Sequence, residues 1–272
     1  MSYALYLDPA QPDFKWDEWP PENPAIAYWR LTDLTPEQLG KFDPNLYLPA
    51  AHTTVEIHPE QWDSLEFPVD RVSVTLEKSG FKNLTLMKQK LEIVECDITF
   101  NWDHRFSLSY YQKMLQYWIY YGVQHFSFYD LQKFPVWQQL KDWLARDGYH
   151  FYDRYHACLR GHESRYQKHL AKMGDLYALG GFSRVTDPET GVTRTRGPRE
   201  DHWTVLSADE QLTERLLFAM ADTDGVKLET VPAEAVQNAC DSGLAQVFKD
   251  RLIPTEEGLW DTVTLVSQMR QG

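Results

Sequence analysis

A chain of 272 residues with 43% hydrophobic and 14% aromatic residues carries enough apolar surface to bury a substantial core, which excludes a disordered polypeptide. Its net charge of −13 repels nucleic-acid backbones and anionic membranes, and no stretch approaches the roughly 20 apolar residues of a membrane span. Cys96, Cys158 and Cys240 are odd in number and far apart, which excludes a disulfide framework and a paired metal knuckle.

The amino-terminal stretch MSYALYLDPAQPDF lacks a basic start followed by an apolar run, so no secretory signal is expected. With unpaired cysteines, this points to reduced thiols and a cytoplasmic location. Residues 1–66 are rich in Pro, Trp and Asp; Trp16–Pro24 holds too many prolines for regular structure and reads as a surface wrap. Leu34-Thr35-Pro36-Glu37-Gln38-Leu39 starts a helix: Thr35 caps, Pro36 suits the first turn, and Gln38 reaches back.

From Arg71 to Phe100 the pattern is β-rich, with Val72, Val74 and Leu76 on one strand face, a turn at KSGF and a central strand IVECDITF. A helix follows, capped by Ser107 or Ser109, with Leu108, Tyr111, Leu115, Trp118 and Ile119 at helical spacing and Gly122 as its stop. HFSFYD (125–130) is a strand, Pro135 opens a second helix, and YHFYDRY (149–155) is a third strand. Strand–helix alternation predicts an α/β fold whose residues 91–155 form a β-α-β-α-β parallel layer.

Residues 163–179 read as helical, and 182–195 as a hairpin turning at PETG. Ser207-Ala-Asp-Glu210 is a capping box; further helices are expected over 232–252 and around Val263–Met269. The pattern divides the chain into a β-rich section (1–90), an α/β core with hairpin (91–205) and a helical section (206–272).

Ligands of open parallel sheets bind at the carboxyl ends of the strands. That places Asn101, Asp103 and Asp130 at the expected ligand edge. Arg184, Arg194, Arg196 and Arg199 sit on or beside the hairpin, and Arg194 and Arg196 share a face, so they form a two-pronged site for a phosphate. Asp222-Thr-Asp224 is the only Asp-x-Asp and the candidate site for a divalent cation such as manganese. His150, His156, His162 and His169 surround Cys158 in sequence; His156, Cys158 and His162 offer zinc-type ligands, an alternative metal-enzyme reading.

The segment Tyr117–Asp130 resembles family-92-type glycosyltransferases and their relatives in the large inverting family, matching at Tyr117, Gly122, Val123, His125, Phe126, Tyr129 and Asp130. It departs at Met114, Trp118 and Leu131, and the family's Asp-x-Asp-Glu strand end is missing. The resemblance implies a sugar-nucleotide-binding, glycosyltransferase-like protein in which Asp130 is catalytic and Asn101, Asp103 and Asp130 contact the nucleotide. Arg194 and Arg196 would then take the phosphates. The rival expectation is a non-catalytic acidic module that binds another protein, such as an immunity or inhibitor protein, with tyrosines and tryptophans at its interface.

Overall fold

The computed structural model describes residues 3–9, 24–40, 50, 52–65, 69–76, 95–179, 181–187, 189–197 and 202–270. Trp16–Pro24 is thus outside the described residues except for Pro24, as are the KSGF turn, Arg199 and the start of IVECDITF. In chain order the strands and helices are β1 (Tyr3–Leu7), β2 (Ile26–Arg30), α1 (Pro36–Leu39), β3 (Thr53–Ile57), β4 (Arg71–Leu76), β5 (Glu95–Asn101), α2 (Leu108–Tyr120), β6 (His125–Tyr129), α3 (Phe134–Ala145), β7 (Tyr149–Phe151), β8 (His156–Leu159) and α4 (Arg165–Ala171). They continue with β9 (Asp175–Leu179), β10 (Ser183–Thr186), β11 (Thr193–Arg196), β12 (Thr204–Val205), α5 (Ala208–Met220), β13 (Val226–Lys227), α6 (Ala233–Asp241), β14 (Ala245–Phe248), β15 (Arg251–Pro254), α7 (Glu256–Trp260) and α8 (Thr262–Met269). The fold is α/β. It comprises two compact units, one of residues 1–131 with 174–205, the other of 132–173 with 206–272.

In the first unit the strands lie in the order β12-β11-β10-β9-β1-β2-β3-β4-β5-β6. From β1 to β6 every strand runs parallel beside its predecessor. β9 adds to the free side of β1, also parallel, and the β10–β11 hairpin continues antiparallel. Strands that follow one another in space as in sequence mean the sheet winds in one direction, as in a β/α barrel, and does not reverse at a nucleotide-binding switch point. The section 1–90, expected to precede the parallel layer, instead supplies four of its strands.

The six strands alternate between two faces. Leu5, Leu7, Trp29, Val55, Ile57, Val72, Val74, Ile98, Phe126 and Phe128 are buried on one face. The register places Arg30 beside Glu56, Glu56 beside Ser73, Ser73 beside Asp97 and Asp97 beside His125, all on the opposite face. Parallel strands buried on both faces usually read as unbroken apolar runs. Here one face of the sheet is polar yet largely covered: Ser73, Asp97, Thr99, His125 and Ser127 are all buried.

α2 begins as the sequence predicts, with the Ser107 hydroxyl accepting from the Tyr110 N–H. Gly122 follows the helix with φ +82°, a conformation that favours glycine.

In the second unit β7 pairs antiparallel with β8, so the third strand of the expected layer is one arm of a hairpin. Two further expectations need correction. The helix over 163–179 stops at Ala171 and gives way to β9 of the first unit, because Met173 adopts φ +58° and breaks it. The helix over 232–252 stops at Asp241; Gly243 (φ +74°) ends it, and 245–254 is a hairpin turning at Lys249 (φ +56°). β13, β15 and β14 form a small sheet in that order, packed with α5, α6 and α8 around Leu216, Met220, Ala239, Leu252 and Leu265. The Ser207–Glu210 capping box is formed in both directions.

Candidate functional site

The polar face of the first unit carries hydrogen-bonded groups of charged and hydroxyl side chains. Asp97 on β5 is its hub. Its Oδ1 lies 2.6 Å from His125 Nδ1, Ser127 Oγ donates to both carboxylate oxygens at 3.0 Å, and Ser73 Oγ donates to Oδ2 at 2.9 Å. Only 8% of Asp97 and 1% of His125 is exposed. On the neighbouring strands Tyr28 Oη donates to Glu56 Oε2 (3.0 Å), Thr75 donates to Glu56 Oε1 (3.3 Å), and Arg30 Nη1 donates to Asp8 Oδ2 (3.4 Å). The Tyr6 and Tyr28 rings stack at 5.9 Å.

Burial governs the protonation of this row. It raises the Glu56 carboxyl above the ordinary carboxylate value, although Tyr28, Arg30 and Thr75 pull the other way. It also pushes the Tyr28 phenol well above its ordinary value, with the Glu56 charge adding to the effect, so Tyr28 remains a donor. For Arg30 burial acts downward, but Glu56, Tyr6 and Asp8 outweigh it and raise the guanidinium further. The result is a row that can accept, donate and hold charge out of bulk water.

At the carboxyl ends of β4 and β5, beside Leu76 and Phe100 of the apolar face and with none of the polar row in its lining, opens a cavity of about 680 Å³. Leu76, Phe100, Asn101 and Asp103 line it, with Trp102, His104, Arg105, Phe106, Tyr110, Tyr111 and Met114. Its aromatic wall is ordered by stacking: Trp102 lies 3.7 Å from Tyr111, and Phe106 4.6 Å from Tyr110, each pair nearly coplanar. The Tyr111 hydroxyl also accepts from the Asp103 N–H at 2.6 Å, which fixes the turn after β5. Arg105 is exposed and forks onto Asp103 (Nε to Oδ1 2.9 Å, Nη2 to Oδ2 2.5 Å).

The structure therefore brings Asn101 and Asp103 together in one cavity. Asp130 closes β6 at the same edge of the sheet, exposed and with φ +60°, but is not among the cavity's lining residues. Arg194 and Arg196 share a face of β11 as their spacing requires; Arg196 lies over the Trp203 ring, and Arg184 is buried with Nη2 on the Gly174 carbonyl. In the second unit Lys168 Nζ sits between the paired aspartates, 2.8 Å from Asp222 and 3.2 Å from Asp224. His156 hydrogen-bonds Asp153 (2.6 Å). Cys158 instead faces His150 and Glu163.

Sequence reading missed the row itself. Its signal was present: RVSVTL and ECDITFN place Arg71, Ser73, Thr75, Asp97 and Thr99 at every second position of strands too central to face water.

No protein-family model matches the chain, and no curated protein matches it in sequence. A solved structure does: coproporphyrinogen III oxidase (HemN) from Escherichia coli, described as a radical SAM enzyme, superposes with a TM-score of 0.70 at 11% identity, covering 99% of this chain and 90% of that one. The fold is similar to that of HemN. This overturns the glycosyltransferase resemblance: the helix-to-strand segment Tyr117–Asp130 belongs to a singly wound sheet, and sugar-nucleotide binding loses its basis. The acidic protein-binding alternative gains no support from the match either. Among the described residues, no helix is long and apolar enough to cross a membrane.

Radical SAM chemistry draws on an iron–sulfur cluster, and such clusters are held by cysteine thiolates. The residues of this chain do not fit one. Cys96 points to the apolar face of β5, fully buried, with its thiol held well above the ordinary value by burial. Cys158 and Cys240 belong to the second unit, and among the described residues no metal-competent group contains two cysteines.

Proposed function

We propose that this chain binds a planar, carboxylate-bearing tetrapyrrole in the aromatic cavity of its first unit, without iron–sulfur chemistry. One observation carries the reading: at the carboxyl ends of β4 and β5, stacked Trp102, Tyr111, Phe106 and Tyr110 wall a cavity of about 680 Å³ that also holds Arg105 and His104. That volume lies within the common range for small-molecule sites. Flat aromatic walls suit a macrocycle, and a planar guanidinium pairs bidentately with a carboxylate. Arg105 would exchange its exposed Asp103 partner for a ligand carboxylate. His104 and Met114 are side chains of the kind that ligate the iron of a metallated macrocycle. The likeness in fold to a protein named for coproporphyrinogen III supports the choice of ligand class.

The test is a titration of coproporphyrin III into the full chain, followed by porphyrin absorbance and tryptophan quenching. A saturable change is expected, weakened about tenfold, or 1.4 kcal/mol, in Arg105→Ala and again in Trp102→Ala. No spectral change, or equal affinity in the double variant, would refute the assignment. Iron and sulfide analysis after anaerobic reconstitution should find no stoichiometric cluster.

A further inference from the structure

The β7–β8 hairpin of the second unit places His150 directly opposite Cys158 in antiparallel register, so the two side chains share a face. The chain then turns at Gly161 (φ +89°) and returns Glu163 to the same spot. His150 Nε2 lies 3.2 Å from Glu163 Oε1, and one donor atom from each of His150, Cys158 and Glu163 lies within 4.8 Å of the others. Cys158 is fully buried, whereas the His150 side chain is 43% exposed and leaves a path from solvent.

We propose that His150, Cys158 and Glu163 form a Zn²⁺ site. An imidazole, a thiolate and a carboxylate are the three donor types zinc accepts, and three protein ligands leave a fourth position for water. Donors bound tetrahedrally at 2.0–2.3 Å stand on the order of 3.5 Å apart, so the present spacing needs a contraction of about 1 Å. Binding displaces the Cys158 thiol proton, which leaves to solvent as the Zn–S bond forms. The ligand set differs from the sequence-based trio of His156, Cys158 and His162, because strand register, not sequence proximity, decides which histidine faces the thiol. This site goes beyond the tetrapyrrole reading and stands or falls independently of it.

The experiment uses the untagged full chain stripped of metal and titrated with Zn²⁺ alone in two buffers of different ionisation enthalpy. One ion per chain with proton release is expected, and Co²⁺ should give a thiolate-to-metal charge-transfer band. Cys158→Ser should abolish that band, and both Cys158→Ser and the half-exposed His150→Ala should weaken Zn²⁺ about tenfold or more. Cys240→Ser should bind unchanged. No stoichiometric uptake, a Co²⁺ spectrum without a thiolate band, or unaltered affinity in His150→Ala would overturn the site and leave an ordinary His150–Glu163 ion pair beside an inert thiol.

Discussion

Removing the Asp97 carboxylate should cost the fold more than any apolar truncation of similar size. Asp97→Ala deletes the acceptor of Ser73 (2.9 Å), Ser127 (3.0 Å) and the partner of His125 (2.6 Å) in a position 8% exposed. Hydrogen bonds to a charged group contribute roughly 1.5–3 kcal/mol each, but the two hydroxyls can re-pair with Thr99 or entering water, so the three do not sum. Breaking a buried charged pair by removing one partner sets the better scale, about 3–5 kcal/mol. For a unit of this size that corresponds to a fall in Tm of about 6–20 °C. Asp97→Asn keeps the shape and one acceptor, and should lose about half as much. Urea unfolding followed in parallel by tryptophan fluorescence and circular dichroism measures both variants. A double-mutant cycle with His125→Ala should give a coupling of about 1–3 kcal/mol. A loss under about 1 kcal/mol in Asp97→Ala, with additive cycles, would mean that water solvates this carboxylate and that the polar face is an open surface.

Glu56 gives a pH signature. Its folded pKa is raised above the ordinary 4.5, so between that value and the folded one the native state binds more protons than the unfolded state, and stability falls as pH rises. Glu56→Gln should flatten that descent in denaturation midpoints taken from pH 4 to 8; an unchanged slope would assign it elsewhere. Lys168→Met strands Asp222, which is 4% exposed, beside Asp224, and should cost about 2–4 kcal/mol by urea unfolding. Gly225 adopts φ +58° with its would-be Cβ against the Leu252 carbonyl oxygen and 2.8 Å from Ile253 Cα, so Gly225→Ala should cost about 2–4 kcal/mol in the same assay. Gly122, equally left-handed at φ +82° but with open space at that position, should show only the backbone part, about 1–2 kcal/mol.

The sequence carried local structure well wherever the governing physics was local. Ser107 and Ser207 cap the helices their spacing predicts, Gly122 stops the first of them, and the 183–196 segment turns where PETG says it should. One error arose where a left-handed residue other than glycine broke an apolar pattern, since Met173 gave no sign in its side chain that φ would be positive; the other passed over the helix stop at Gly243 and the hairpin turn at Lys249. Sheet order was less legible still. Nothing in residues 1–76 announces that β1–β4 join β5 and β6 in parallel, since parallel pairing is long-range and leaves no turn signature between partners. At the site, Asn101 and Asp103 were placed at the strand edge by a rule that holds for any parallel sheet. The aromatic wall opposite them was visible only as a helix stripe, and Tyr111 serves both purposes.

The polar row bears most directly on what this fold is for. Buried ionic groups are a poor way to stabilise a sheet: apolar residues of similar volume do as well or better, and the Val, Ile and Phe side chains filling the other face show that this sheet accommodates them. A row running Asp8, Arg30, Glu56, Ser73, Asp97, His125 therefore costs stability that the fold recovers on its apolar side. Structural need alone explains one such pair, not five register positions in succession with Asp8 paired to the first. Groups of both signs, held out of bulk water and fixed by one another, are prepared to meet a polar ligand with little reorganisation. The cysteines are not among them. The sheet's fold is similar to that of HemN, its one thiol lies on the apolar face, and Asp97, with three side-chain partners, is the position where removing one group should disturb the polar row most.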